Sequence, residues 1–119
     1  MGVYYSAYAG FGLLVEKDSA DLDVPFYEFE ESLNGNLPDG YGYVTGGNAM
    51  SGSNECVLIG PSNLLHRVFD SMDDGFGSRK IEAVKGGITA DDAVPVLHEL
   101  AAQFGVEPNI GFFGISSVY

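Results

Sequence analysis

Basic side chains are scarce in this 119-residue chain: five Lys and Arg stand against seventeen Asp and Glu, a formal net charge of −12. That shortage argues against direct attachment to nucleic acid or to an anionic membrane, and it favours basic protein partners, attracted over a Debye length of roughly 8–10 Å. Cysteine occurs once, at Cys56, which excludes an internal disulfide framework and every zinc pattern that needs paired cysteines. Tryptophan is absent, and histidine is limited to His66 and His98. No run approaches the ~18 apolar residues of a membrane-spanning helix. Met1-Gly2-Val3-Tyr4-Tyr5 lacks the basic residues of a secretory leader. The expectation is a cytoplasmic protein with no membrane partner.

What the chain does have is apolar content. Hydrophobic residues make up 45%, with seven Tyr and eight Phe, which separates it from acidic tails that cannot offset their ordering entropy. Its length suits one domain. Seventeen Gly, dispersed without a period, exclude collagen and imply tight turns and bulges.

From residue 3 to 15 the odd positions read Val, Tyr, Ala, Ala, Phe, Leu, Val, which predicts a strand with one buried face. Gly10 and Gly12 fall on the other face and imply a bend, or close approach by a ligand or a neighbouring strand. Asp23 is placed to cap a short helix with Phe26, Phe29 and Leu33 on one face and Gly35 as its stop. Turn residues at 34–40 lead into a strand at 41–45, and the Gly-rich stretch to Asn54 connects it to a second at 55–59, a hairpin. Ser62 then caps an apolar stripe, Leu64, Leu65, Val68, Phe69 and Met72, that reads as a helix, although Leu64–Phe69 is also compatible with a strand. A short strand is expected at 81–84 within a Gly-rich, basic loop. Thr89 or Asp92 caps a last helix bearing Val94, Leu97, Leu100, Ala101 and Phe104, with Pro95 favouring the later start and Gly105 the stop. Ile110–Tyr119 closes as a strand. The expected fold is α+β: one domain, residues 1–119, a mainly antiparallel sheet packed against two or three short helices.

No motif supplies catalysis. His98-Glu99 begins like a zinc-hydrolase pattern, but position 102 is Ala where the second histidine belongs. Asp18, Asp21 and Asp23, and Asp70, Asp73 and Asp74, lack the spacing of a twelve-residue calcium loop. Neither a metal nor a cofactor is expected. Gly75, Gly77, Arg79 and Lys80 offer main-chain donors and two cations to a phosphate, which makes a nucleotide or small-ligand site the alternative reading. The tyrosines Tyr4, Tyr8, Tyr41 and Tyr43 either pack on helices or form an adhesive face for a homodimer.

The Tyr/Gly-rich first strand, the acidic Phe26–Glu31 segment, Tyr41-Gly42-Tyr43 followed by Ser51-Gly52-Ser53, and a short apolar strand together resemble small acidic accessory proteins of tailed bacteriophages. That resemblance implies a non-enzymatic protein in the host cytoplasm that inhibits a defence or nucleic-acid-handling protein, in some cases by imitating the charge of DNA. The residues expected to meet a basic partner surface are Tyr27, Glu28, Glu30, Glu31, Asp70, Asp73 and Asp74.

Overall fold

A computed structural model describes residues 5–18, 22–48, 53–70 and 87–118. The alternating first segment forms strand β1, Tyr5–Glu16, with Phe11, Leu13 and Val15 buried on one face. Helix α1 is Phe26–Leu33 and buries the expected Phe26, Phe29 and Leu33. It begins later than an Asp23 cap would place it, because Pro25 takes the N-cap position: its carbonyl accepts from the N–H groups of Glu28 (3.0 Å) and Phe29 (3.2 Å). Pro25 has no N–H to lose there. The C-terminal turn is satisfied by the Asn36 amide donating to Ser32's carbonyl at 2.7 Å.

The expected hairpin is present and longer at both arms, β2 (Tyr41–Asn48) against β3 (Ser53–Pro61), antiparallel. Helix α2, Ala90–Phe104, starts from Thr89, whose hydroxyl accepts from the Asp92 N–H at 3.2 Å. The expectation that Pro95 favours the later start is therefore corrected. Pro95 is the sixth helical residue, and the carbonyl it leaves unpaired belongs to Asp91, an exposed first-turn residue that water reaches. Gly105 ends the helix at φ 72° with its N–H turned back to Ala101 and Ala102. Strand β5, Ile110–Val118, follows.

Residues 62–70 differ most from the helical expectation, whose last member, Met72, lies outside the described residues. Ser62–Leu64 is a single 3-10 turn and Leu65–Asp70 is strand β4. The cause is non-local. β3 covers one edge of β1 only from Leu13 to Glu16, and β4 takes up the same edge from Ser6 to Gly10. Pairing those main-chain groups outweighs a local helical stripe. The expected short strand at 81–84 lies outside the described residues.

The strand order is β3-β2-β5-β1-β4, and a further β3–β1 pairing bends the sheet back on itself. All pairings are antiparallel except β2–β5, which touch at Gly47–Ser117 and Asn48–Val118. The circuit β1–β3–β2–β5–β1 is thus closed. Both helices pack on the face bearing Phe11, Leu13, Val15, Val57 and Ile59, and Phe29 meets Phe104 edge-on at 5.3 Å, joining α1 to α2. Leu58 and Ile115 are also buried but stand outside that cluster. The curl of the sheet covers them: a Cβ on Gly12 would lie 3.2 Å from Leu58, and one on Gly46 would lie 3.3 Å from Ile115. Gly10 and Gly12 accordingly face main chain from Ile59 to Leu65, where the connection from β3 to β4 crosses β1. Of the two kinds of close approach those glycines imply, the neighbouring strand is the one present.

Candidate acidic surface on the first helix

The burial of Phe26, Phe29 and Leu33 decides what the rest of α1 does. At 100° per residue, Tyr27, Glu31 and Glu28 fall within an arc of about 100° on the opposite side of the helix, and all three are exposed, Tyr27 to 62%. The Tyr27 hydroxyl donates to Glu28 across a long 3.5 Å contact. Neither Glu28 nor Glu31 has an ion-pair partner among the described residues. This arc therefore presents one aromatic ring beside two carboxylates that have no ion-pair partner among the described residues.

Glu30 turns aside. It is half-buried at the margin of the core, beside the ends of β1 and β3, where Lys17 and Glu55 form an ion pair at 3.0 Å. Burial raises the Glu30 carboxyl from its ordinary value, the Glu55 charge adds to this, and Lys17 pulls the other way. Cys56 lies in the same neighbourhood: burial raises its thiol, Glu16 and Glu30 raise it further, and a backbone hydrogen bond with Gly46 opposes them. A thiol so placed stays protonated at neutral pH and is a poor nucleophile. The Lys17–Glu55 ion pair is solvent-accessible and worth at most about 1 kcal/mol.

Of the remaining expected site residues, the main chain of Asp70 is described. Asp70 ends β4 opposite Ser6. Asp73 and Asp74, and Gly75, Gly77, Arg79 and Lys80 of the alternative phosphate reading, lie outside the described residues. Tyr8, Tyr41 and Tyr43 are half-buried, and Tyr41 and Tyr43 pack against the core. Among the described residues no group of three or more His, Cys, Asp or Glu is placed to hold a metal, and no helix is long and apolar enough to cross a membrane.

Two surface features were not singled out by sequence. Phe112 on β5 is 77% exposed and stacks edge-on against Phe11 at 5.0 Å. Beside the start of β5, a groove of about 450 Å³ runs between Leu14–Glu16 and Val106–Asn109, with Glu16 and Glu107 exposed on its walls. Nothing in an apolar C-terminal run signals that one of its phenylalanines faces water. Comparisons of the chain with protein-family models, with curated proteins and with solved structures find no match.

Proposed function

We propose that this chain is a non-enzymatic binding protein whose acidic α1 surface occupies a basic, nucleic-acid-handling surface of a partner protein. The observation that carries this reading is the exposed arc of Tyr27, Glu28 and Glu31, an aromatic anchor beside two carboxylates that have no ion-pair partner among the described residues. A net charge of −12 speeds encounter with a cationic partner, and the ring supplies contact area once the surfaces meet. Tyrosine is suited to that role because it carries a large amphipathic surface on few rotatable bonds. The setting in which such a protein acts is the cytoplasm of a phage-infected host, in keeping with its resemblance to small acidic phage accessory proteins.

The test is affinity capture from host lysate at low and moderate salt with three baits: the wild type, Tyr27→Ala, and Glu28→Gln/Glu31→Gln. A captured nucleic-acid-binding protein that is lost with salt and with both variants, and whose purified form releases nucleic acid when this protein is added, supports the proposal. Capture indifferent to salt and to both variants, or a captured protein that keeps its nucleic acid, refutes it.

A further inference from the structure

The main chain of β5 carries hydrogen-bonding groups that the described residues leave unpaired. Leu14 donates its N–H to Asn109's carbonyl at 2.9 Å, one step beyond the Leu13–Ile110 end of the β1–β5 ladder. Hydrogen-bonded pairs alternate along an antiparallel ladder. Gly111, Phe113 and Ile115 therefore turn their N–H and C=O groups toward β1, and Ile110, Phe112 and Gly114 turn theirs to the outer edge. β2 pairs with β5 at Ser117 and Val118, and Gly46 comes up against the Ser116 carbonyl oxygen beside them. Among the described residues no second strand pairs with the outer edge from Ile110 to Gly114.

Exposed edges in native sheets are ordinarily protected by charge, proline or a bulge. Here none is present: Ile110–Val118 contains no charged residue and no proline, and its register with β1 is unbroken. Phe112 and Gly114 are exposed, and the face at Gly114 leaves room for a neighbouring side chain, since a Cβ there would meet nothing among the described residues closer than 3.9 Å. The five residues Ile110 to Gly114 extend over roughly 17 Å, enough for a short added strand.

We infer that this edge receives an extended, basic segment of a partner protein, which adds as a strand antiparallel to β5 with its C-terminal end over Glu16 and Glu107. The charge is decided at the flank. β5 itself is neutral, and the groove adjoining its first residue carries two exposed carboxylates and, among the described residues, no cation in its lining. Alternate side chains of the added strand rest on the exposed ring of Phe112, while main-chain bonds to Phe112 and Gly114 supply affinity that does not depend on sequence. A second copy of the chain fits less well. Two molecules at −12 repel each other, and a single strand edge is a small part of the roughly 1,200 Å² that a stable interface needs. This edge is distinct from the α1 arc and binds whether or not that arc does.

The probe is a capped seven-residue peptide alternating valine and threonine and ending in two arginines, titrated into ¹⁵N-labelled protein beside a counterpart ending in two glutamates. The expected result is amide shifts concentrated at Ile110–Ser116, Glu16 and Glu107, with exchange at Phe112 and Gly114 slowed at least tenfold at saturation. The glutamate peptide should bind at least tenfold more weakly. Gly114→Pro removes one outward donor and should weaken the arginine peptide tenfold. Phe112→Ala is the second variant, should weaken it several-fold, and keeps the test usable if the proline variant does not fold. Glu28→Gln/Glu31→Gln should leave affinity unchanged, which separates this edge from the α1 surface. The inference is overturned by shifts centred elsewhere, by equal affinity for both peptides, by no binding at millimolar peptide, or by protected edge amides in a free protein whose mass doubles with concentration.

Discussion

Gly12 sits where two backbones cross, and replacing it by alanine puts the curled sheet to a direct test. A methyl group there would land on the carbonyl oxygen of Ile59 and 2.9 Å from its carbonyl carbon. Gly60 lies on the other side of the same crossing, its own Cβ position 3.1 Å from the Gly12 Cα. Overpacking ordinarily costs about 1–3 kcal/mol because side chains move aside. The obstructing atoms here are main chain, anchored by the Leu13–Ile59 pair immediately beside them, so the upper end of that range, about 3 kcal/mol, is expected. With an unfolding entropy of roughly 0.25 kcal/mol/K for a chain of this length, that loss lowers Tm by about 12 °C. In urea, at m of roughly 1–3 kcal/mol/M, it lowers the midpoint by about 1–3 M. Gly111→Ala is the internal control: it lies on the same sheet, and its Cβ would meet only the Phe113 ring, at 3.8 Å. Thermal and urea unfolding of both variants against wild type is the assay. A Gly12→Ala protein melting within about 2 °C of wild type, or one no worse than Gly111→Ala, would refute the crossing and with it the closed circuit of strands.

Two further predictions concern single side chains. Because the Glu30 carboxyl is raised in the folded state, folding favours its protonated form, and its contribution to stability falls as pH climbs through the carboxylate range. Glu30→Gln should therefore raise Tm at pH 7 and lose that advantage near pH 3, and an advantage of equal size at both pH values would contradict the burial argument. Asn63 holds the approach to α2 by donating to Ile88's carbonyl at 2.9 Å and accepting from its N–H at 3.2 Å. Asn63→Ala should cost about 2 kcal/mol, or about 8 °C in Tm, and Asn63→Asp, which keeps only the acceptor, about half as much. Equal losses for the two variants would show that the side chain acts by its bulk.

The elements that could be read from sequence are those whose pattern is local. Phe11, Leu13 and Val15 announce a strand by alternation, and Phe26, Phe29 and Leu33 a helix by spacing. The stripe from Leu64 to Phe69 has no such local answer. From Leu65 on it is a strand because β1 has a second half to pair, a demand set 55 residues away at Gly10–Leu65 and 64 at Ser6–Asp70. The candidate surface divides in the same way. Helical spacing puts Tyr27, Glu28 and Glu31 outward and Glu30, four residues after Phe26, at the margin of the buried face, whereas the charges of Lys17 and Glu55 that meet Glu30 there are not contained in the spacing along α1. Phe112 was invisible for a related reason: an uncharged apolar strand suggests burial, and whether its outer edge has a neighbour is a property of strand order.

The nine-residue register between β1 and β5, running from Tyr5 opposite Val118 to Leu13 opposite Ile110, also sets a timetable for folding. Of the three partners of β1, the longest is made after the other two. Until residue 118 has been made, β1 can hold β3 and β4 on one side only, and its other edge waits in water. Contacts of such sequence separation close slowly, so a nascent chain exposes one unpaired edge of β1 until β5 emerges, and the helices gain the five-stranded sheet to rest on only then.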